Sequence, residues 1–234
     1  MHPTEPSKEL KLYNVLTGVF VASLLLVAPL GSKFVVLGPL VISAASLTFP
    51  INFIFNDLLT EVYGYKRSRR IIFTGMGCQI FAAFMFFIVG IWPAPDFWHN
   101  QEAYMTVLGS TPRITLASIT AYYFSEYTNS AIISKMKYRH AGKRGVHQAW
   151  RFIASTAVGE AVDSVIFISL AFGGTISSDN LLKTILGIWV FKVGFEVVAL
   201  PLTTRLANVL KRVEELDIID HPERTNYSPW SFTG

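Results

Sequence analysis

Apolar residues in this chain are gathered into six long runs that short polar segments separate. A helix needs about 20 apolar residues to cross the roughly 30 Å hydrocarbon core of a bilayer, and each run meets or approaches that length. The pattern predicts an all-α, polytopic membrane protein with six transmembrane helices, forming a single membrane domain over residues 1–234. The predicted spans cover about 12–30, 40–62, 71–92, 113–135, 151–173 and 182–208.

Basic residues are distributed unevenly between these spans. The segments after the second and fourth spans are rich in Lys and Arg, whereas the other three are poor in them. The positive-inside rule therefore predicts that both basic loops and both termini are cytoplasmic. The basic runs are short and directly adjoin spans, so we expect no nucleic-acid partner. The cytoplasmic tail over 211–234 is expected to continue the last helix briefly and then to be disordered.

The composition agrees with a membrane protein, and the polar residues within the apolar spans are the candidates for a functional site. Hydrophobic residues make up 51% of the chain and charged residues 15%, against about 25% charged in soluble domains. A charged side chain at the bilayer centre costs roughly 2.5–3.5 kcal/mol, so such groups pair, line a water-filled path or bind a ligand. Helical spacing places the polar and aromatic residues of a span on one face of its helix. The candidate substrate-binding residues are Asn52, Asn56, Asp57, Tyr122, Glu126, Asn129, Glu160, Asp163, Phe167, Lys192 and Glu196.

Several of these residues allow two interpretations. Glu160 and Asp163, near the middle of one span, form either a ligand site or a structural pair neutralised by Lys192. Lys192 pairs either with Glu196, one turn along its own helix, or with Asp163 across a helix interface, which would leave Glu196 free. The polar face of the fourth span either contacts a flat ligand or holds helices together.

The second span contains a proline, Pro50, near its middle. Proline frees a carbonyl and favours a broken or kinked helix, which is tolerated only where protein or a cavity covers it. Discontinuous helices at the bilayer midplane often form transporter binding sites. Asn52, Asn56 and Asp57 follow Pro50 directly. Glu61 lies nearer the cytoplasmic end, and the favoured partners for its carboxylate are Arg67, Arg69 and Arg70.

Motifs of common enzymes are absent from the sequence. It contains no G-x-x-x-x-G-K-[ST], no H-E-x-x-H and no G-x-S-x-G, which excludes a P-loop ATPase, a zincin and a hydrolase of the nucleophile-elbow type. We therefore expect no enzymatic activity and no cofactor or metal.

Five short motifs, taken in order, resemble the signature of a known transporter family. They are FPINFIFNDLLTEVYGYKRSRRIIF at Phe49–Phe73, RITLASITAY at Arg113–Tyr122, ASTAVGEAVDS at Ala154–Ser164, FKV at Phe191–Val193, and Pro201. The chain resembles the queuosine precursor transporter family, also called the vitamin uptake transporter family, over roughly residues 12–210.

The resemblance implies import of 7-cyano- and 7-aminomethyl-7-deazaguanine across the bacterial cell inner membrane, for salvage into tRNA queuosine. It implies that Asp163, with Glu160, binds the guanine-like edge and that Lys192 sets their charge state. Tyr122 and Phe167 are the candidate stacking platforms. The aminomethyl ligand is a cation and would gain from the surplus of interior acids. The expected partners are this substrate, the lipid bilayer and, as a coupling ion, the proton.

Three functional classes remain open at this point. The favoured class is a stand-alone secondary transporter or facilitator. The second is a substrate-binding subunit of a multi-component ATP-driven vitamin importer, which would dock through small residues such as Gly18 and Ala22 of the first span. The third is an intramembrane enzyme that uses Glu160 and Asp163 for acid–base chemistry.

Overall fold

A computed structural model describes residues 10–37, 40–109, 112–174 and 177–228. Within these ranges the chain forms helices and one short hairpin. The hairpin pairs β1 (Phe34–Leu37) antiparallel with β2 (Leu40–Ser43), and a 3-10 turn follows at Ala44–Leu47. The helices are α1 (Tyr13–Gly31), α2 (Phe49–Tyr63), α3 (Tyr65–Ile91), α4 (Gln101–Leu108), α5 (Pro112–Arg139), α6 (Val146–Phe172) and α7 (Ser178–Glu214).

Four of the helices, α1, α3, α6 and α7, are long and apolar enough to cross a membrane. The prediction of a mostly helical, multi-pass membrane protein is therefore confirmed. α5 has 28 residues but carries many polar side chains, and α2 has 15 residues, about 22 Å at 1.5 Å per residue. The count of six spans and the placement of the termini stay predictions.

The second predicted span is not one helix. Its first part, expected to be helical from about residue 40, forms β2 and the 3-10 turn instead. α2 begins at Phe49 with Pro50 in its first turn, where the missing N–H of proline has no intrahelical partner to lose. The interruption of helical structure thus lies before Pro50, and Pro50 does not kink a continuous helix.

α2 is the centre of the fold. It packs against α1, α3, α5 and α7, and eleven of its fifteen residues are buried. The outer helices carry the opposite pattern, since Phe81, Phe84 and Phe87 of α3 are exposed. Polar residues inside and large apolar residues outside are what a hydrocarbon solvent requires, because a charged group that faces lipid has no polar partner there.

The segment after α7 folds back on the bundle instead of being disordered. The backbone N–H of Ile218 donates to the carbonyl of Val62 at 3.3 Å, and Asp220 accepts from the backbone N–H of Tyr65 at 2.9 Å. Gly64 permits this approach: its φ is +81°, and a Cβ there would lie 2.8 Å from the Ile218 side chain. The prediction of disorder is therefore wrong for 215–228, and 229–234 lie outside the described residues.

Candidate functional site

Most of the predicted site residues meet where four helices join. α2 packs on α5 and α7, and α6 packs on both α5 and α7, which brings together polar residues that are far apart in sequence. We call this group the central site. It consists of Asn56, Asp57, Glu126, Asn129, Glu160, Asp163, Lys192 and Glu196.

Lys192 bridges the two carboxylates of α6. Its Nζ lies 2.6 Å from Glu160 Oε2 and 2.6 Å from Asp163 Oδ2, and it donates a hydrogen bond to Asp163. Of the two interpretations, the structure thus shows the contact across the α6–α7 interface. Glu196 is 2% exposed, and its Oε1 has no hydrogen-bond partner among the described residues.

Asp57 and Asn129 connect α2 to α5. Asn129 Nδ2 donates to Asp57 Oδ1 at 2.8 Å, which leaves Asp57 Oδ2 and Asn129 Oδ1 without partners in the described part of the chain. Asp57 is fully buried and interacts electrostatically with Glu196 and Glu126. The carboxylates of α2, α5 and α7 are therefore close enough to influence one another.

A layer of hydroxyl groups fixes the orientation of Asn56. Its Oδ1 accepts from Ser68 and Ser130, each at 3.1 Å, and Thr60 Oγ1 lies within hydrogen-bonding distance of the same two hydroxyls, at 2.8 and 3.0 Å. Because the amide oxygen is held in this way, the amide nitrogen is directed away from the hydroxyl layer. It approaches Glu126 without the geometry of a full hydrogen bond.

The central site is poorly supplied with hydrogen-bond partners for a buried region. Buried polar groups are paired in more than about 90% of cases, and each exception needs an explanation such as a ligand or an ion. Here the exceptions come from α2, α5, α6 and α7 together. Among the described residues of the central site, the unpartnered atoms include Asn56 Nδ2, Asp57 Oδ2, Glu126 Oε2, Asn129 Oδ1, Glu160 Oε1 and Glu196 Oε1. Thr156 Oγ1 and Ser164 Oγ, on the same helix as Glu160, are also unpartnered.

The remaining predicted residues lie apart from this centre. Tyr122 donates from its hydroxyl to the carbonyl of Ile72 at 3.3 Å, so its polar end faces α3. Phe167 makes an edge contact with Phe172, with ring centroids 6.3 Å apart. Asn52 contacts Ser23 of α1 through its amide oxygen. Tyr122 still interacts electrostatically with Glu126, one turn along α5, whereas the contacts of Phe167 and Asn52 are with Phe172 and Ser23.

Phe49 is the aromatic residue that the structure places beside the central site. Lys192 Nζ lies 5.1 Å from the centroid of its ring, within the range of a cation–π interaction. The ring also packs edge-on against Phe195 of α7 at 6.1 Å. The sequence offered one signal, since Phe49 directly precedes the proline that opens α2.

A second polar group lies one helical turn beyond Asp57 on α2. Glu61 is fully buried, and its Oε1 is 2.6 Å from Arg151 of α6 and 2.7 Å from Lys211 of α7. The expected partners Arg67, Arg69 and Arg70 were wrong: Arg69, for example, donates to the carbonyl of Asn226 at 2.7 Å. No local pattern could show this, because Arg151 and Lys211 are 90 and 150 residues away in sequence.

The tail completes this second group. Lys137 of α5 donates to the carbonyl of Glu61 at 2.5 Å and pairs with Asp217 at 2.5 Å, which Lys211 also contacts at 3.0 Å. Burial alone would raise the pKa of Asp217, but the hydrogen bond and charge of Lys137, followed by those of Lys211, hold the pKa below its ordinary value. We call Glu61, Lys137, Arg151, Lys211 and Asp217 the basic-end network.

Comparison with known proteins identifies the family. Residues 43–206 match the family model described as "Putative vitamin uptake transporter". This chain belongs to that family. The matched region contains every residue of the central site, whereas Lys211 and Asp217 of the basic-end network lie beyond it.

One curated relative carries a more specific name. The chain is 27% identical over 150 residues to a protein of Bacillus subtilis (strain 168) named "Probable queuosine precursor transporter". The alignment covers 64% of this chain and 64% of the relative, so it spans slightly less than two thirds of the relative's length. No solved structure matches this chain. Family and relative are both described as transporters, which points to a non-enzymatic role.

Proposed function

We propose that this protein imports 7-cyano- and 7-aminomethyl-7-deazaguanine across the bacterial cell inner membrane for salvage into tRNA queuosine. The main support from the fold is the central site, where unpartnered donors and acceptors from α2, α5, α6 and α7 surround one buried region. Membership of the vitamin uptake transporter family and the name of the relative support the class of ligand. The ATP-driven subunit and the intramembrane enzyme have no comparable support.

The chemistry of a deazaguanine base fits the unpartnered atoms. Its guanine-like edge offers adjacent N–H donors, which a carboxylate accepts in bidentate fashion. Asp163 and Glu160 were expected to bind this edge, but both contact Lys192. We therefore assign the edge to Glu126, whose Oε2 is unpartnered among the described residues, with Asn56 Nδ2 as a donor to the base carbonyl.

We further propose six crossings with both termini in the cytoplasm. α5 is long enough at 28 residues, and its polar side chains are covered by α2 and α6. The hairpin, the 3-10 turn and α2 together would form the remaining crossing. The basic-end network, together with the basic segments around Lys66 and Lys143, would then lie at the cytoplasmic side.

The decisive test is uptake of labelled 7-cyano-7-deazaguanine into liposomes that contain only the purified full-length protein. Time-dependent uptake that excess unlabelled ligand abolishes would support the proposal. Stimulation by an imposed pH gradient would identify proton coupling, and equilibration without it would identify a facilitator. Absence of both binding and uptake would overturn the proposed ligand class.

A matched pair of variants controls this assay. Asp163→Asn removes one of the two carboxylates that hold Lys192, and we expect it to abolish uptake while the protein still inserts. Asp179→Asn removes a comparable acid that pairs with Lys183 on the exposed first turn of α7, with both side chains more than 70% exposed. Uptake by the Asp179 variant should equal that of the wild type.

A further inference from the structure

The central site contains more negative than positive groups. Five carboxyl groups, those of Asp57, Glu126, Glu160, Asp163 and Glu196, share the single cation Lys192, and that cation is held by the two acids of α6. The other three have no ion pair with any described Lys or Arg. Buried carboxyl groups are ordinarily paired or protonated, so these three acids are free to receive a positive group that the polypeptide does not itself provide.

Among these three acids, Asp57 interacts electrostatically with both Glu196 and Glu126, and the interaction with Glu196 is the stronger. Asp57 lies on α2 and Glu196 on α7, two helices in contact, and the two carboxyl groups interact electrostatically. Both residues are buried, with exposures of 0% and 2%. Each keeps one oxygen, Oδ2 and Oε1 respectively, without a partner among the described residues.

The protein's own cations near this pair are engaged elsewhere. Lys192 is one turn from Glu196 on the same helix, but its ammonium points to α6. Arg151 and Lys211, beyond Asp57, hold Glu61. No three His, Cys, Asp or Glu residues in the described ranges are grouped so as to hold a metal ion. A pair of carboxylates without a third ligand is better suited to an organic ammonium than to a divalent cation.

We propose that the Asp57–Glu196 pair binds the primary ammonium of the ligand, so that the protein prefers the 7-aminomethyl to the 7-cyano base. This inference rests on the proposed function and adds a preference between its two substrates. The ammonium donates to a carboxylate from each helix in charge-assisted hydrogen bonds, which are about twice as strong as neutral ones. The nitrile is uncharged and donates no hydrogen bond.

The two bases form a matched ligand pair for the test. Equilibrium binding of each is measured to the full-length protein in lipid nanodiscs at pH 7, where the aminomethyl group is protonated. We expect the aminomethyl base to bind at least tenfold more tightly than the cyano base. Asp57→Asn and Glu196→Gln should each reduce this ratio severalfold, mainly by weakening the aminomethyl ligand, and Asp179→Asn should leave it unchanged.

The possible failures separate this inference from the proposed function. Equal affinities of the wild type for the two bases would overturn the proposal that Asp57 and Glu196 bind the ammonium, and would leave the import proposal intact. A preference that survives both substitutions would place the ammonium elsewhere and also overturn the assignment. If neither base binds, the import proposal fails and the inference with it. Since the first comparison uses only the wild-type protein, the result does not depend on the folding of either variant.

Discussion

The two polar groups on α2 differ in how completely their charges are paired. In the basic-end network, Glu61 contacts Arg151 and Lys211, and Asp217 contacts Lys137 and Lys211. In the central site, Asp57, Glu126 and Glu196 each keep an oxygen without a partner among the described residues. Asp57 and Glu61 are one helical turn apart on the same helix, so position along α2 does not explain the contrast.

The contrast separates a structural role from a binding role. Removing one partner of a buried, fully paired network leaves an uncompensated charge and destabilises the fold. Neutralising a buried carboxylate that lacks a partner removes a desolvation cost, so the fold should tolerate it. Stability and transport should therefore respond to mutation in opposite ways at the two groups.

The largest effect should come from Arg151→Met, which keeps the volume but removes a cation from Glu61. Loss of one partner from a buried ion pair costs about 3–5 kcal/mol, and we expect the lower end because Lys211 remains. The measurement is thermal unfolding in detergent. Arg139→Met, at an exposed position near the end of α5, is the control and should unfold like the wild type. Equal stability of both variants would contradict a structural role for the network.

Next in size is the effect of Glu126→Gln on transport. The substitution keeps the shape of the side chain but removes a bidentate acceptor for the base edge. We expect uptake in liposomes to fall at least tenfold while the unfolding temperature stays the same or rises. An unfolding temperature lowered as much as in Arg151→Met would show that Glu126 is structural and that the two polar groups do not differ in kind.

A smaller effect should distinguish Phe49 from Phe167. Phe49→Leu removes the ring from Lys192, a cation–π interaction worth about 1 kcal/mol, and we expect the apparent affinity for the transported base to weaken about fivefold. Phe167→Leu should change the affinity by less than about twofold, because this ring contacts Phe172 at 6.3 Å instead. The measurement is concentration-dependent uptake by both variants. A larger loss of affinity in Phe167→Leu than in Phe49→Leu would favour Phe167 as the stacking platform, as the sequence suggested.

The smallest effect concerns pH and the docked tail. The pKa of Asp217 lies below its ordinary value of 3.8 in the folded protein, so its contribution to docking is present above about pH 4 and is lost as the pH falls through the folded pKa. The hydrogen-exchange protection factors of 215–228, which are corrected for the pH dependence of intrinsic exchange, should therefore fall below pH 4. Its side chain is 30% exposed, which keeps the change modest.

Asp217→Asn provides the control for this pH series. The variant tail should exchange somewhat faster than the wild type at pH 7, and the difference between the two proteins should vanish at low pH. A wild-type profile that is flat from pH 7 to pH 3 would remove Asp217 from the interactions that hold the tail.

Long apolar runs and buried charges were the features that the sequence predicted well. Helices of 19 to 37 residues at α1, α3, α6 and α7 follow from composition alone, because only a helix satisfies its own backbone in lipid. The meeting of Asp57, Glu126, Glu160 and Glu196 follows from the same argument, since intramembrane acids avoid lipid.

Details that depend on distant residues or on short apolar segments were not predictable. The run from residue 40 is apolar enough for either a strand or a helix, and periodicity does not distinguish them over so few residues. The partners of Glu61 were sought among nearby arginines, whereas Arg151 and Lys211 are on other helices. The mixed charges of the tail suggested disorder, although Asp217 and Asp220 have specific partners.

The length of chain between Glu61 and Lys211 imposes an order on biosynthesis. Glu61 leaves the ribosome 150 residues before Lys211 and 90 residues before Arg151, so α2 enters the insertion machinery with its acid unneutralised. A short, polar helix of this kind partitions poorly into lipid by itself. The ion pairs of Glu61 can therefore be completed only after Lys211 of α7 has been synthesised, and we expect a nascent chain halted before Lys211 to remain accessible to membrane quality-control proteases.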